Sequence, residues 1–402
     1  MTRSDVAERT PELTQPPRWC ETDLGRAAWE VGAATAAPYA DEVDREARFP
    51  AEAAAAMRSS GLLGALAPRR LGGGGASLAE VSEAIRALAS HCASSALVYA
   101  MHQIEVAYLL RHGDTPELQD LLARVAAGEV LMANGNSEVG LGGDVSRSFC
   151  ALEHRDGRVH LEKDVLALSY GEYADAITVT ARRDLDAADG DQIMLVCGPD
   201  SFSLTPTSTW DTMGLRGTCS SGFRLVADES PGMVLTDPWA TVVNQTGLAA
   251  TTVFLNSVWL GIAEAAAARA HISARTEARR KVGTATPSAL RLAEMVVVLR
   301  QARAVLAFTT GRIMAAADRG PEAVADDLAL TVEMRDLKLS LTTLSADVVL
   351  KALAICGLGG YRRDSPTSVD RHVRDVLGGQ LMANNNRFYA DNAQLLTVLK
   401  HI

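Results

Sequence analysis

The sequence has 402 residues, a formal net charge of −10, a hydrophobic fraction of 48% and a mean hydropathy of +0.04. A chain of this length can bury the cores of two or three packed units. The acidic balance argues against a nucleic-acid surface, because phosphate binding needs clustered lysine and arginine. No apolar run approaches the ~18 residues that a membrane span requires.

The cysteines and histidines show no pattern of metal ligands or disulfides. The six cysteines lie far apart without a CxxC pair, and the eight histidines form no HExxH spacing. In a chain of this size, isolated cysteines are typical of reduced, buried thiols in a cytosolic enzyme. The segment from Met1 to Pro17 is polar and acidic, unlike a signal peptide. We therefore expect a cytoplasmic enzyme without a metal site.

Apolar residues at helical spacing dominate the first third of the chain, as in Val81, Ile85 and Leu88. A glycine-rich turn at 71–75 interrupts them, and its glycines supply the positive φ angles that a turn needs. No Gly-Lys-Ser/Thr follows this turn, so it is not a phosphate-binding P-loop.

From Asn134 to Thr241 the sequence pattern changes to short runs of β-forming residues, bounded by glycine, aspartate and proline. Such runs predict an antiparallel β unit with short connections. They lie at 176–180, 193–196 and 222–226.

Helical periodicity returns from Ala249 in three long stretches. They cover 249–280, 288–318 and 325–356. Gly357 to Gly360 and Pro366 then mark a break before a final helix from about Arg371. The sequence thus predicts a mainly α fold with a central β domain. The expected domains are 1–133, helical; 134–241, β; and 242–402, a helical bundle.

Five local signatures follow this plan in chain order. They are LGGGG at 71–75 with Ser94-Ser95-Ala96, NSEVGLGGDV at 136–145, LSYGEYAD at 168–175, WDTMGLRGTCSS at 210–221, and GLGGY at 357–361 with RHVRD at 371–375. In this order they resemble the acyl-CoA dehydrogenase superfamily over nearly the whole chain. The resemblance implies an N-terminal helical domain, a β-barrel-like middle domain and a C-terminal four-helix bundle.

The resemblance also implies a flavin, with FAD favoured and FMN as the alternative. In the family the loop at 136–145 lines the flavin through backbone N–H groups, and the hydroxyl at Ser169 bonds the flavin N5 edge. An arginine of a neighbouring subunit contacts the diphosphate, which implies a homodimer or homotetramer. The cofactor-binding residues implied are Ser137, Glu138, Gly143, Ser169, Arg279, Gly357, Gly359 and Gly360.

Both positions that hold the catalytic glutamate in acyl-CoA dehydrogenases lack a carboxylate here. The position beyond the RxxRD arginine falls on Ala383, and the other falls near Thr251 and Thr252. Neither alanine nor threonine can take the substrate α-proton as a carboxylate does. Ala354 replaces the family's glutamine before the glycine turn, and Ala167 replaces a tryptophan beside the flavin.

These losses resemble the flavin-dependent monooxygenases of this fold, such as the dibenzothiophene and amine N-hydroxylating enzymes. Those relatives receive reduced flavin from a separate reductase, bind oxygen at the flavin and transfer one oxygen atom to the substrate. The resemblance implies catalytic roles for Ser169 and for His102, which stands where several relatives have an active-site histidine. Without the resemblance, a histidine on a helix face is more often a packed core residue. The relatives' second histidine is absent, since Met382 and Ala383 occupy its place.

Three residues are candidates for substrate contact: Arg216 for an anionic group, and Asn384 and Asn385 through their amides. A turn is the simpler explanation for consecutive asparagines, and Arg216 lies in a segment that is partly scaffold in relatives. Arg374 and Asp375 are interpreted as a structural ion pair that orients the last helix.

Three functions remain open at this point. The favoured one is a monooxygenase that uses reduced flavin and oxygen on a small organic substrate, with a flavin reductase as partner. The second is an acyl-thioester dehydrogenase with a relocated base, to be sought among Glu138, Glu105 and Asp391. The third is a non-catalytic subunit of a hetero-oligomer.

Overall fold

The protein is described here from a computed structural model, in which residues 15–281 and 285–400 are placed. The expectation for the polar N-terminus lies mostly outside the described residues, as does the part of the Arg279 motif formed by Val282 and Gly283. The described chain follows the predicted order of helices, strands and helices.

The first part of the described chain is helical. Its helices are α1 Asp23–Val31, α2 Ala40–Glu46, α3 Ala51–Ser59, α4 Leu78–Ala89, α5 Ala93–His112 and α6 Pro116–Ala126. Helix α4 begins with a capping box, in which Ser77 Oγ accepts from the Glu80 N–H at 3.3 Å and the Glu80 carboxylate accepts from the Ser77 N–H at 2.8 Å. Gly72 and Gly75 in the preceding turn have φ angles of +85° and +61°, as predicted.

Two small sheets follow. One has the order β1-β4-β5, with strands β1 Met132–Asn134, β4 Ala176–Arg182 and β5 Gln192–Cys197. The other has the order β2-β3-β7-β6, with strands β2 Glu153–Arg155, β3 Arg158–Val165, β6 Phe202–Pro206 and β7 Phe223–Glu229. The predicted strands are β4, β5 and β7. The antiparallel prediction holds except for β1, which pairs with β4 in parallel.

Helices form the remainder of the described chain. They are α7 Trp239–Val242, α8 Leu248–Arg280, α9 Pro287–Ala317, α10 Glu322–Ala325, α11 Leu328–Tyr361, α12 Asp370–Leu381 and α13 Asn385–Leu396. The predicted break at Gly357 is a kink within α11, where this residue has φ +57° and ψ −138°. The single final helix expected from the sequence is two helices, because the chain turns at Ala383 and Asn384, both with positive φ.

Two segments require a correction to the expectation about membranes. Trp239–Arg280 and Leu328–Tyr361 are long and apolar enough, by length and composition alone, to cross a bilayer. In the fold, 83% and 50% of their most apolar windows are buried inside the protein. Their hydropathy is therefore that of core helices of the bundle. The two helices pack against one another, and Leu248–Arg280 also packs against α4 and α5.

A buried carboxyl group joins the helical part to a sheet. Glu105 of α5 is fully buried and accepts hydrogen bonds from Asn134 Nδ2 at 2.9 Å and Thr178 Oγ1 at 2.5 Å. These two donors lie on β1 and β4, so the side chain fixes α5 to the sheet. Burial raises the pKa of Glu105 to about 8, because the charged form loses its hydration.

This pKa predicts a pH-dependent stability. The folded protein retains the Glu105 proton that an unfolded chain releases near its ordinary pKa of about 4.3, so the contribution of this group falls as pH rises from there to about 8. The variant Glu105→Gln keeps the shape without the titration. We expect the melting temperature of the wild type, relative to the variant, to decrease between pH 5 and pH 9. A constant difference over that range would contradict the assignment.

Candidate functional site

Three loop segments meet beside the end of strand β3. Backbone hydrogen bonds join Val139 N to Asp164 O at 3.0 Å and Leu166 N to Ser137 O at 3.3 Å. Farther along, Leu168 N donates to Ser221 O at 2.9 Å and Tyr170 N donates to Thr218 O at 2.7 Å. The second, third and fourth sequence signatures are therefore neighbours in space, with the segment at 164–170 between the other two.

A chain of hydroxyl groups runs through this junction. Ser169 Oγ lies 2.8 Å from Ser220 Oγ, and Ser220 Oγ lies 2.8 Å from Thr218 Oγ1. Thr218 Oγ1 donates to Leu215 O at 2.8 Å. Ser220 and Thr218 are buried, whereas Ser169 is half-buried. Neither Ser220 nor Thr218 is among the residues predicted from the sequence, although the close spacing of hydroxyl residues in the fourth signature is a signal that could have pointed to them.

Helix α12 holds the turn that carries this chain. The buried Asp375 carboxylate accepts from Leu215 N at 2.7 Å. Arg374 pairs with Asp44 of α2 at 2.5 Å and with Asp370 at 3.1 Å. The predicted ion pair between Arg374 and Asp375 is therefore wrong in its partners, because the two side chains leave the helix toward different neighbours. Their predicted structural role remains.

The loop after Glu138 offers backbone donors suited to an anion. Gly140, Gly142 and Gly143 have φ angles of +91°, +58° and +81°, which side chains rarely allow. No hydrogen-bond acceptor for their N–H groups is found in the described part of the chain, and a Cβ at Gly142 or Gly143 would project into open space. Free N–H groups in such a conformation bind phosphate oxygens. Together with the Ser169 hydroxyl, they fit a phosphate-bearing flavin.

The side chains of the same loop have structural partners. The buried Glu138 carboxylate accepts from Ser148 Oγ at 2.7 Å and from the N–H of Cys150 at 3.0 Å, and it lies 3.8 Å from Lys163 Nζ. The hydroxyl of Ser137 donates to Ala167 O at 2.9 Å. The Glu138 carboxylate thus closes the loop, and cofactor binding at Ser137 and Glu138 stays a prediction. Any flavin contact at these two positions is left to the backbone.

The pairing of Glu138 with Lys163 predicts a large effect on stability. Both side chains are buried, and burial lowers the pKa of Lys163. Glu138→Ala would leave the buried lysine without its counter-charge and the loop donors without their acceptor. We expect a loss of about 3 kcal/mol or more in the free energy of unfolding in urea. Ser148→Ala, which removes one donor only, is expected to cost ~1 kcal/mol. Equal losses in the two variants would contradict this role of the carboxylate.

Comparison with known proteins identifies the family. Residues 21–129 match the family model described as acyl-CoA dehydrogenase, N-terminal domain, and residues 253–386 match the acyl-CoA dehydrogenase, C-terminal domain. The two matches together cover more than half of the chain. The chain belongs to the acyl-CoA dehydrogenase family. The predicted family, fold and enzyme class, a flavin-dependent oxidoreductase, are confirmed at this level.

Relatives in this family differ in their chemistry. The amino sugar nitrososynthase DnmZ of Streptomyces peucetius is 29% identical over 355 residues, which are 84% of either chain. The short-chain-specific acyl-CoA dehydrogenase of Clostridium acetobutylicum is 25% identical over 348 residues, 84% of this chain and 87% of the relative. The FMN-bound structure of TdsC from Paenibacillus sp. A11-2 aligns with a TM-score of 0.81 at 22% identity, covering 93% of this chain and 97% of TdsC.

The position of His102 argues against its predicted catalytic role. The ring is fully buried, its Nδ1 accepts from Met132 N at 3.0 Å, and its Nε2 lies 2.9 Å from Leu63 O. Since Nδ1 accepts, the ring proton is on Nε2 and is donated to Leu63 O. Burial lowers the pKa of His102 to about 4. Both nitrogens are therefore used to join α5 to the backbone around it, as the packed-core interpretation of this residue predicts.

The three substrate candidates are also engaged within the protein. Arg216 donates to Asp44 O at 2.8 Å and pairs with Asp211 at 2.8 Å. Asn384 caps α13 by accepting from Asn386 N at 3.1 Å. Asn385 accepts from Lys338 and donates to Thr342 Oγ1 at 3.2 Å. Each of the three residues thus has partners inside the protein, and their contact with a substrate stays a prediction.

The remaining cofactor candidates lie at one end of the bundle. Arg279 is exposed near the end of α8, and Gly357 and Gly359 lie near the end of α11. Cys356 of α11 lies beside Ser273 of α8, and the two helices pack against each other. Gly360 is buried there and accepts from Val369 N at 2.9 Å. Diphosphate binding by this group stays a prediction.

Proposed function

We propose that the protein is a flavin-dependent monooxygenase acting on a small organic substrate. Reduced flavin from a separate reductase supplies two electrons and the centre at which oxygen reacts. One oxygen atom enters the substrate, and the other leaves as water with two protons. The protein binds and orients the flavin and excludes water around it.

The observation that carries this proposal is the absence of a carboxylate at both positions of the dehydrogenase base. Ala383 occupies one of them, in the exposed turn between α12 and α13, with a φ of +57°. Thr251 occupies the other, beside the buried Tyr108. A dehydrogenase must remove an α-proton with a positioned base, and neither residue supplies one.

The carboxylates considered as substitutes are occupied. Glu105 is held between Asn134 and Thr178, and Glu138 is held by the loop that it closes. Asp391 lies on α13 and forms an ion pair of 3.7 Å with Arg335. These partners count against a relocated base, and with it against the dehydrogenase alternative.

The flavin is assigned to the junction of the three loop segments. The N–H groups of Gly140, Gly142 and Gly143 would hold its phosphate, and the Ser169 hydroxyl would meet its N5 edge. FAD and FMN both fit this arrangement, since both carry a phosphate and the same flavin ring. TdsC binds FMN in its structure, and another structure of it is described as dibenzothiophene monooxygenase.

The names of the relatives support oxygenation. DnmZ, at 29% identity, is an amino sugar nitrososynthase, so a protein of this family oxidises a nitrogen atom. The dehydrogenase of Clostridium acetobutylicum is 25% identical. Dehydrogenase activity is therefore the alternative against which the monooxygenase proposal is tested. The substrates to try first are therefore amines, including nucleotide-linked amino sugars, and aromatic thioethers.

The decisive experiment separates the two chemistries. Protein loaded with oxidised FAD or FMN is mixed anaerobically with butyryl-CoA, and the flavin absorbance is followed. We expect no bleaching on a catalytic timescale, because no base is placed to remove the α-proton. Protein loaded with reduced flavin is then mixed with oxygen and a candidate amine, and the oxygenated product is measured by mass spectrometry with ¹⁸O₂. Rapid bleaching by the acyl-CoA would overturn the proposal and favour the dehydrogenase.

We propose in addition that two copies of the chain meet at the C-terminal ends of α8 and α11. Leu358 and Tyr361 expose 72% and 74% of their surface there, beside the exposed Arg279. In this arrangement Arg279 would complete the diphosphate site of the other copy, as the family resemblance implies. Sedimentation equilibrium at micromolar concentration should show a dimer or tetramer, and Leu358→Glu with Tyr361→Glu should dissociate it. The matched control is Leu185→Glu, at an exposed residue between β4 and β5, which should leave the oligomer intact. A wild-type monomer that retains its flavin would contradict this arrangement.

A further inference from the structure

The hydroxyl chain from Ser169 to Leu215 has only one consistent arrangement of protons. Three hydroxyl groups supply one proton each to three hydrogen bonds. The last acceptor is the carbonyl oxygen of Leu215, which has no proton to donate. Thr218 must therefore donate to Leu215, Ser220 to Thr218, and Ser169 to Ser220.

With the protons in this order, Ser169 can only accept a hydrogen bond from a group outside the row of three hydroxyls. Its single proton points inward at Ser220, and its oxygen keeps a lone pair that can face a ligand. Ser169 is the half-buried end of the chain, whereas Ser220 and Thr218 are 6% and 1% exposed. The outward group at this site is consequently a hydrogen-bond acceptor, although a serine in isolation could equally donate.

The surroundings hold the direction in place. The Leu215 carbonyl also accepts from Trp210 Nε1 at 3.1 Å, and the Leu215 N–H is bound by Asp375 at 2.7 Å. The peptide groups on both sides of this residue are therefore fixed. Reversing the chain would require Thr218 to give up its bond to that carbonyl, in a place with little access for water.

The two redox states of a flavin differ at the atom assigned to Ser169. Oxidised flavin has a bare N5, which accepts a hydrogen bond, whereas reduced flavin carries an N5–H, which donates one. We propose that the Ser169–Ser220–Thr218 chain makes the site selective for reduced flavin, with Ser220 and Thr218 as positioning residues. This inference rests on the proposed function, because it uses the placement of the flavin N5 edge at Ser169.

The preference suits an enzyme that receives its flavin already reduced. The Ser169 oxygen would accept a hydrogen bond from the N5–H of reduced flavin when that flavin binds. After turnover it would face the N5 lone pair of oxidised flavin, and the two lone pairs would repel. The site thereby favours uptake of the reactive form and release of the spent one. A dehydrogenase has the opposite requirement, since it must hold oxidised flavin when its substrate arrives.

The test is a ratio of dissociation constants, measured without turnover. Equilibrium dialysis of the full chain against FMN, and separately FAD, is carried out with oxidised flavin in air and with reduced flavin under anaerobic conditions. We expect reduced flavin to bind the wild type at least about fivefold more tightly, the effect of one hydrogen bond. Ser220→Ala frees the Ser169 proton to donate, so the ratio should fall by about fivefold, chiefly through tighter binding of oxidised flavin.

Further variants separate this effect from a general disturbance of the site. Thr218→Val removes the acceptor for Ser220 and should lower the ratio in the same direction. Ser220→Thr retains a hydroxyl and should restore it. Ser208→Ala removes a nearby hydroxyl that accepts from Gly222 N at 2.8 Å outside the chain, and should leave the ratio unchanged.

The outcomes distinguish this inference from the function on which it rests. A wild-type protein that binds oxidised flavin as tightly as reduced flavin, or more tightly, overturns the selectivity and leaves the monooxygenase proposal standing. A ratio that is the same in Ser220→Ala, Thr218→Val and the wild type overturns the role of the chain. A folded wild-type protein that binds neither form overturns the proposed function as well.

Discussion

The peptide groups of Leu215 connect the parts of the structure on which the site depends. The N–H of this residue is held by Asp375 of α12, and its carbonyl receives both Trp210 and Thr218. Through Thr218 and Ser220 the same carbonyl determines how Ser169 is oriented. A helix of the C-terminal bundle thus controls a hydroxyl beside the β domain through four consecutive hydrogen bonds. A buried carbonyl can do this because it accepts and never donates, which gives the whole chain a direction.

A second buried contact prepares the other side of the site. The Glu138 carboxylate closes the loop after β1 by binding Ser148 and Cys150, with Lys163 beneath it. The glycines beyond Glu138 have N–H groups without an acceptor among residues 15–281 and 285–400. Phosphate binding by backbone requires such a loop, held rigid by partners that do not themselves compete for the ligand.

The chemistry that the site supports follows as much from missing groups as from those present. Ala383 and Thr251 leave both dehydrogenase positions without a base, and the carboxylates of Glu105 and Glu138 are committed to structure. In the proposed function, the groups at the junction of the three loop segments orient a flavin. No base is assigned there to remove a proton from carbon.

The sequence by itself determined the family, the order of helices and strands, the glycine conformations and the loss of the catalytic glutamate. These properties depend on residue type and on local spacing, and relatives preserve them as motifs. The long helices α8, α9 and α11 were therefore predicted nearly to their ends, as were strands β4, β5 and β7.

Only the tertiary structure decided what each polar side chain does. His102, Arg216 and Asn385 have the residue types of a catalytic or binding group. In the fold, each is hydrogen-bonded to a partner far away in sequence. The direction of the chain from Ser169 likewise depends on Leu215, whose distance from it in sequence gives no local signal. The physical reason is that a hydrogen-bonding group has few bonds to form, and which of them are already formed inside the fold depends on long-range contacts.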